Sequence, residues 1–263
     1  MSSLTVTLIQ TNLFWENKKA NLEMLQQKIE GIKEKTEVVI LPEMFSTGFS
    51  MNSELLAEKM DGETVQWMQK IASEKKIILT GSIIIEEEGK YFNRLIWMLP
   101  TGKYGFYDKR HLFGYADENL HYTKGNKKLI ASVKGWKINL QICYDLRFPV
   151  WARQPSGNLD DQYDLLINVA NWPEKRKLAW QTLLAARAIE NQCFVVGLNR
   201  VGQDGNNNFY NGHSSVIDPS GAIIYYKNTD EDIYTCTLQK TKIEEVRNQF
   251  PFWKDADSFT ITT

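Results

Sequence analysis

Cysteine is scarce in this chain of 263 residues, which carries Cys143, Cys193 and Cys236 and no others. The number is odd and no CxxC pair occurs, which argues against both a disulfide framework and a zinc site. A thiol in such a chain matters through its reactivity, and a reducing cytoplasm is the expected setting. An excess of charge is missing too. Lys+Arg 31 against Asp+Glu 32 leaves a formal net charge of -1, so the basic footprint of a dedicated nucleic-acid binder is absent. No run approaches the ~20 apolar residues that span a bilayer. The amino terminus shows neither a basic flank nor a small-residue cleavage site. No linker-like break and no low-complexity tract interrupts the chain. One soluble domain over residues 1–263 is expected, with neither nucleic acid nor membrane as partner.

What is present is ordinary globular material. Hydrophobic residues make up 43%, charged residues 24% and aromatic residues 12%, enough for a core plus a lined pocket. Strand and helix signals alternate. Leu4, Val6 and Leu8 alternate as a first strand, and Leu22, Leu25, Ile29 and Ile32 share one face of a helix over roughly residues 16–35. The run 37–41 (EVVIL) reads as a buried strand stopped by Pro42. A helix over 64–75 and strands over 77–85, 91–99 and 104–107 follow, the last two joined by the turn 100–103. The second half repeats the pattern. Strands at 136–142, 164–170 and 193–198 surround a helix over about 175–190, and strands at 215–218 and 223–226 flank a Pro219-Ser220-Gly221 turn. Short β-branched strands separated by helices indicate an α/β fold with covered sheets.

Three reactive side chains occupy equivalent places, each at the carboxyl end of an expected strand. Glu43 follows VVIL and Pro42, Lys109 follows Tyr107-Asp108, and Cys143 follows WKINLQI. Open α/β sheets gather their ligand sites at such ends. Taken singly, Glu43 and Lys109 read as solvated surface residues, and a cysteine in an apolar run is usually a small buried hydrophobe. Cys193 and Cys236 fit that description. Cys143 differs because a polar, turn-prone exit follows it, Tyr144-Asp145-Leu146-Arg147-Phe148-Pro149.

The segments LPEMF around Glu43, DKRHLF around Lys109 and QICYDLRFP around Cys143 resemble the three signature segments of the nitrilase, or carbon-nitrogen hydrolase, superfamily. A second glutamate of that family matches Glu118 in ADENLHYTKG. NVANWP, LLAARAIENQCFVVGLNRVG and NGHSSVIDPSG extend the likeness over almost the whole chain. The resemblance implies a four-layer α-β-β-α sandwich and cofactor-free, metal-free amide hydrolysis. It implies Cys143 as nucleophile, Glu43 as general base, and Lys109 with the backbone N–H near Tyr144 as oxyanion donors. Glu118 would orient Lys109 and the substrate amide. A thiol of ordinary pKa, about 8.5, is only a few per cent thiolate at neutral pH, so the base is needed.

EMFSTGF, NWPEKR, AARAIENQ and NRVG are similar to the omega-amidase branch, which acts on 2-oxoglutaramate and related dicarboxylate monoamides. The distal carboxylate of such a substrate needs a cation. Arg176 is the candidate, with Lys177 beside it and His111 behind. Phe45, Phe113, Tyr115, Tyr144 and Trp172 are the expected lining of the substrate pocket. Asp145 and Arg147 read as a structural pair shaping the turn. A Cys–His mechanism would draw on His111, His121 or His213, none of which lies in a peptidase-like pattern. Other expectations within the superfamily are an N-carbamoyl amine hydrolase or a deaminated-glutathione amidase, and outside catalysis a silent interaction subunit. By resemblance the protein forms a homodimer, with the C-terminal segment, about residues 248–263, and its Phe250, Phe252 and Trp253 as candidate interface.

Overall fold

A strand whose residues are apolar without alternation needs cover on both faces, and the computed structural model supplies it. Residues 2–154 and 162–262 are described. In chain order the strands are β1 (Ser3–Gln10), β2 (Val38–Ile40), β3 (Ile78–Glu87), β4 (Lys90–Met98), β5 (Tyr104–Asp108), β6 (Ile130–Val133), β7 (Trp136–Ile142), β8 (Leu165–Ala170), β9 (Phe194–Asn199), β10 (Val201–Gln203), β11 (Phe209–Asn211), β12 (Ser214–Ile217), β13 (Ile223–Lys227) and β14 (Asp232–Gln239). The helices are α1 (Lys18–Glu30), α2 (Ser53–Leu56), α3 (Glu63–Lys75), α4 (Glu118–His121), α5 (Pro149–Ala152), α6 (Lys177–Asn191) and α7 (Lys240–Gln249). Among the described residues no helix is long and apolar enough to cross a membrane.

Two mixed sheets of six strands face each other, in the orders β14-β1-β2-β3-β4-β5 and β13-β12-β9-β8-β7-β6. Their designs match. Each has three parallel strands, β1-β2-β3 or β7-β8-β9, continued on one side by antiparallel strands and closed on the other by one antiparallel edge strand. Side-chain alternation divides the core accordingly. Val38 and Ile40 join Leu165, Ile167 and Val169 between the sheets. Val39 faces the other way, into a layer with Leu22 and Leu25 of α1 and Met68 and Ile71 of α3. Leu166 and Val195 pack outward on Trp180, Leu184 and Ala188 of α6. The result is the α-β-β-α sandwich of the nitrilase type.

Helix ends follow local chemistry. The Asn17 side chain accepts from Ala20 N at 3.1 Å and starts α1, two residues inside the expected limit, and Gly31 caps its end. The helix expected over 175–190 begins instead with a 3-10 turn, Glu174–Arg176, before α6. β14 was not expected from the sequence. It pairs with β1 from Ser3↔Gln239 to Gln10↔Asp232, and its alternating Thr235 and Thr237 hydroxyls bond to Thr7 and Thr5.

Candidate active site

Parallel strands deliver their carboxyl ends to one side, and the four residues expected at the site converge there from both sheets. The first sheet supplies Glu43, three residues beyond β2, and Lys109, directly after β5. The second supplies Cys143, directly after β7, while Glu118 opens α4. Lys109 Nζ lies 2.9 Å from Glu43 Oε1 and 2.9 Å from both Glu118 oxygens. The Lys109, Glu43 and Glu118 side chains are all fully buried. Cys143 Sγ lies 3.9 Å from the Asn171 carbonyl oxygen, with the Glu43 carboxylate near enough to raise its pKa.

Two asparagines complete the frame, and neither was singled out from the sequence. Asn93 of β4 donates from Nδ2 to Glu43 Oε1 at 2.8 Å and to Glu118 Oε1 at 3.2 Å. Asn171 donates its backbone N–H to Glu43 Oε2 at 2.8 Å and its Nδ2 to the Glu43 carbonyl at 2.6 Å. Asn171 directly follows β8 and Glu43 lies three residues beyond β2, so the central strands of the two sheets are tied together at their carboxyl ends. The available signal was the polar residue closing the run LLINVA. Glu118 also receives Phe113 N–H on Oε2 at 2.6 Å, which fixes the carboxylate against Lys109.

The electrostatics follow from burial. Desolvation opposes the Lys109 charge, but Glu118 and Glu43 overcome it and hold its pKa above the usual lysine value. Burial and the neighbouring Glu43 charge raise the Glu118 pKa, against the pull of Lys109. Burial and the Glu43 and Glu118 charges push the Cys143 thiol well up, with Lys109 opposing. The resting thiol is therefore protonated at neutral pH. Cys143 has φ 43°, a left-handed conformation that costs an L-residue roughly 1–2 kcal/mol and turns the chain sharply between β7 and the 3-10 helix Cys143–Arg147.

Beside Cys143 and Lys109 opens a cavity of about 320 Å³. Phe113, Tyr115, Tyr144, Trp172 and Arg176 line it as expected. Tyr115 is 87% exposed and belongs to the rim. Phe45 does not reach the cavity. It is fully buried in the layer beneath α1 and α3, 6.0 Å from the Trp67 ring. A Cβ on Gly81 would sit 2.8 Å from Phe45 Cδ1, so the absent side chain of Gly81 makes the room that Phe45 fills.

Asp145 and Arg147 do not pair. Asp145 accepts from Tyr107 Oη at 2.7 Å, from Ile142 N at 3.0 Å, and from His111 N and Nδ1 at 3.0 and 2.8 Å. It thereby ties the chain beyond Lys109 to the strand that delivers Cys143. In a 3-10 helix residues two apart point to different sides, and Arg147 turns instead over Trp172, 4.8 Å from its centroid, lining the cavity. None of the three histidines lines it. His111 is held by Asp145 and stacked on Phe148, His121 is exposed, and His213 bonds to Tyr226. A Cys–His arrangement is thus absent. Lys177 is exposed and also outside the cavity lining. Among the described residues no group of three or more His, Cys, Asp or Glu is placed to hold a metal ion.

Residues 5–248 match the carbon-nitrogen hydrolase family. The omega-amidase YafV of Escherichia coli (strain K12) is 44% identical over 262 residues, covering 99% of this chain and 100% of that protein. The 2-oxoglutaramate amidase of Bacillus subtilis (strain 168) is 32% identical over 255 residues, 95% of this chain and 96% of that protein. Among solved structures, XC1258 from Xanthomonas campestris superposes with a TM-score of 0.95 at 43% identity, each chain covered over 100%. XC1258 is described as a CN-hydrolase superfamily protein with an arsenic adduct in its active site.

Proposed function

The chain belongs to the carbon-nitrogen hydrolase family and is an amide-cleaving hydrolase; we propose that it cleaves the terminal amide of small omega-amido acids, above all 2-oxoglutaramate, through a thioester on Cys143. The observation that carries this reading is the buried Glu43–Lys109–Glu118 cluster set against the Cys143 thiol at the wall of a small cavity. A thiol held above its usual pKa needs a base at the moment of attack, and Glu43 stands beside it. Relatives named omega-amidase and 2-oxoglutaramate amidase, aligned over nearly their full length, support the substrate class.

The steps balance on these groups. Sγ attacks the amide carbon while its proton passes to Glu43. The carbonyl oxygen becomes an oxyanion, held by the Lys109 ammonium and the Tyr144 N–H. That N–H lies in the first turn of the 3-10 helix, where amides have no acceptor within the helix. The tetrahedral intermediate collapses, the C–N bond breaks, and Glu43 gives its proton to the departing ammonia. Water then loses a proton to Glu43 and attacks the thioester, and the C–S bond breaks to release the acid and restore the thiol. Glu118 positions Lys109 with two acceptor oxygens. It does not touch the reacting carbon.

The three thiols are free, which supports a reducing, cytoplasmic setting. A homodimer is the proposed assembly. Phe250 and Phe252 are 48% and 60% exposed and stack at 5.6 Å, apolar surface that favours cover. Sedimentation of wild type against a Phe250→Ser, Phe252→Ser variant tests this, a monomeric variant being the expected result.

The activity test is ammonia release from a panel of omega-amides, carbamoyl amines and nitriles. Turnover of 2-oxoglutaramate or succinamate above the rest is expected. Preference for carbamoyl amines would overturn the substrate assignment, and no turnover of any amide would favour a non-catalytic role.

A further inference from the structure

An arginine that lacks a partner in a folded protein is waiting for one or is merely solvated, and burial beside a reacting thiol separates the two cases. The chain has eight arginines. Arg94 and Arg187 hold carboxylates, and four others donate to backbone carbonyls. Among the described residues, Arg147 and Arg176 alone make neither an ion pair nor a side-chain hydrogen bond. Both are half-buried, and both line the cavity next to Cys143.

Each is held by aromatic faces instead. The Arg147 guanidinium lies 4.8 Å from the Trp172 centroid, and that of Arg176 lies 5.0 Å from Phe113 and 5.9 Å from Tyr115. Such contacts fix a guanidinium without neutralising it or using its N–H donors. The acidic groups around the cavity are otherwise engaged or distant in role. Asp204 is occupied by Asn206 N, Asn208 N and Nδ2, and Tyr210 Oη. Glu43 and Glu118 are matched to Lys109. Asp117 remains on the rim, with neither arginine in its reach as an ion pair.

We infer that Arg147 and Arg176 together receive the distal carboxylate of the substrate, so that the cavity selects monoamides of short dicarboxylic acids over neutral amides of the same length. Arg147 is the specificity residue that the sequence hid, because adjacency suggested a pairing with Asp145. Cys143 and Arg147 stand four residues apart on one 3-10 helix, about 8 Å of axial rise, and both line the same cavity. A planar guanidinium offers a carboxylate two parallel N–H bonds, and two such groups converge on this cavity. The inference rests on the amidase reading above and adds to it the location of the charge that reads the substrate.

The test compares succinamate with butyramide, in which a methyl group replaces the carboxylate. Wild type, Arg147→Gln, Arg147→Lys and Arg176→Gln are assayed for ammonia release, with thermal melts to verify folding. Losing a charged hydrogen bond changes binding by roughly 10- to 150-fold. The kcat/KM ratio of succinamate to butyramide is therefore expected to fall about 100-fold in Arg147→Gln, chiefly through KM, and about 10-fold in Arg176→Gln. Arg147→Lys keeps the charge without the planar fork. It carries the test should Arg147→Gln fold poorly, with an expected loss of about 10-fold in the ratio. Inhibition by succinate should weaken in parallel, a readout that a merely structural arginine would not move. A wild-type ratio retained in the folded variants would overturn the arginine assignment while leaving the amidase reading intact. A wild type that cleaves butyramide as well as succinamate would overturn the anionic-substrate reading itself, whatever the variants do.

Discussion

The floor and the mouth of the cavity solve opposite electrostatic problems. At the floor, Glu43, Lys109 and Glu118 are fully buried and every charge has a partner within 2.9 Å. At the mouth, Arg147 and Arg176 are half-buried, and aromatic rings support them without any counter-ion. The floor is internally complete, so its groups act on whatever bond is presented to them. The mouth is incomplete, and its completion comes from the ligand. The difference assigns chemistry to one end of the cavity and selection to the other.

That comparison can be broken most violently at the thiol. Cys143→Ala is expected to lower amide turnover by on the order of 10⁴-fold or more, measured as ammonia release, with little change in melting temperature. Next comes Lys109→Met, which leaves two buried carboxylates facing each other. A loss of roughly 10²–10³-fold in kcat is expected from the missing oxyanion donor. Stability should fall by about 3–5 kcal/mol in a denaturant titration. Adding Glu118→Gln to Lys109→Met should recover part of that stability, because one of the unpaired charges is then gone.

The mouth should answer differently. Arg176→Gln removes no hydrogen bond or ion pair, only the contacts with the Phe113 and Tyr115 rings, so its unfolding free energy is expected to fall by no more than about 1 kcal/mol. A larger loss would mean that the arginine holds the fold together.

The smallest expected effect is on titration. Burial sets the Cys143 thiol high, and the Glu43 and Glu118 charges raise it further while Lys109 lowers it. Removing a negative neighbour favours the thiolate, so Glu118→Gln should move the ionisation of Cys143 to lower pH. Lys109→Met removes the positive neighbour and should move it to higher pH. The pH dependence of Cys143 alkylation reads both directions, and shifts of the same sign in the two variants would contradict the charge arrangement.

Much of the floor was legible in the sequence. Strands such as VVIL and DLLINVA are covered on both faces, so their apolar runs are unbroken and their polar ends stand out. Glu43 was visible for that reason; Lys109, after the half-exposed edge strand β5, and Cys143, after the polar-interrupted run WKINLQI, were visible as strand ends that match the family's segments. Other features were hidden by local geometry. Phe45 stands two residues after Glu43, which in a strand would share its side, but Met44 has φ 44° and turns the chain so that Phe45 enters the core. Arg147 was masked by the twist of a 3-10 helix that sends Asp145 to His111 and Tyr107. Asn93 lies within β4, where nothing in its neighbours marks a polar residue as buried. β14 was missed because an edge strand alternates Thr with larger residues and has no apolar run to announce it.

The central claim is that the floor cleaves amides through a thioester on Cys143, with Glu43 taking the thiol proton and returning it to ammonia. The most direct measurement is the mass of the Cys143 peptide from wild type and from Glu43→Gln, each acid-quenched during exposure to succinamate. One succinyl group on Cys143 in wild type, with neither the adduct nor more than a trace of ammonia from Glu43→Gln, is the predicted result. An unmodified Cys143 peptide in wild type together with undiminished ammonia release from Glu43→Gln would contradict it.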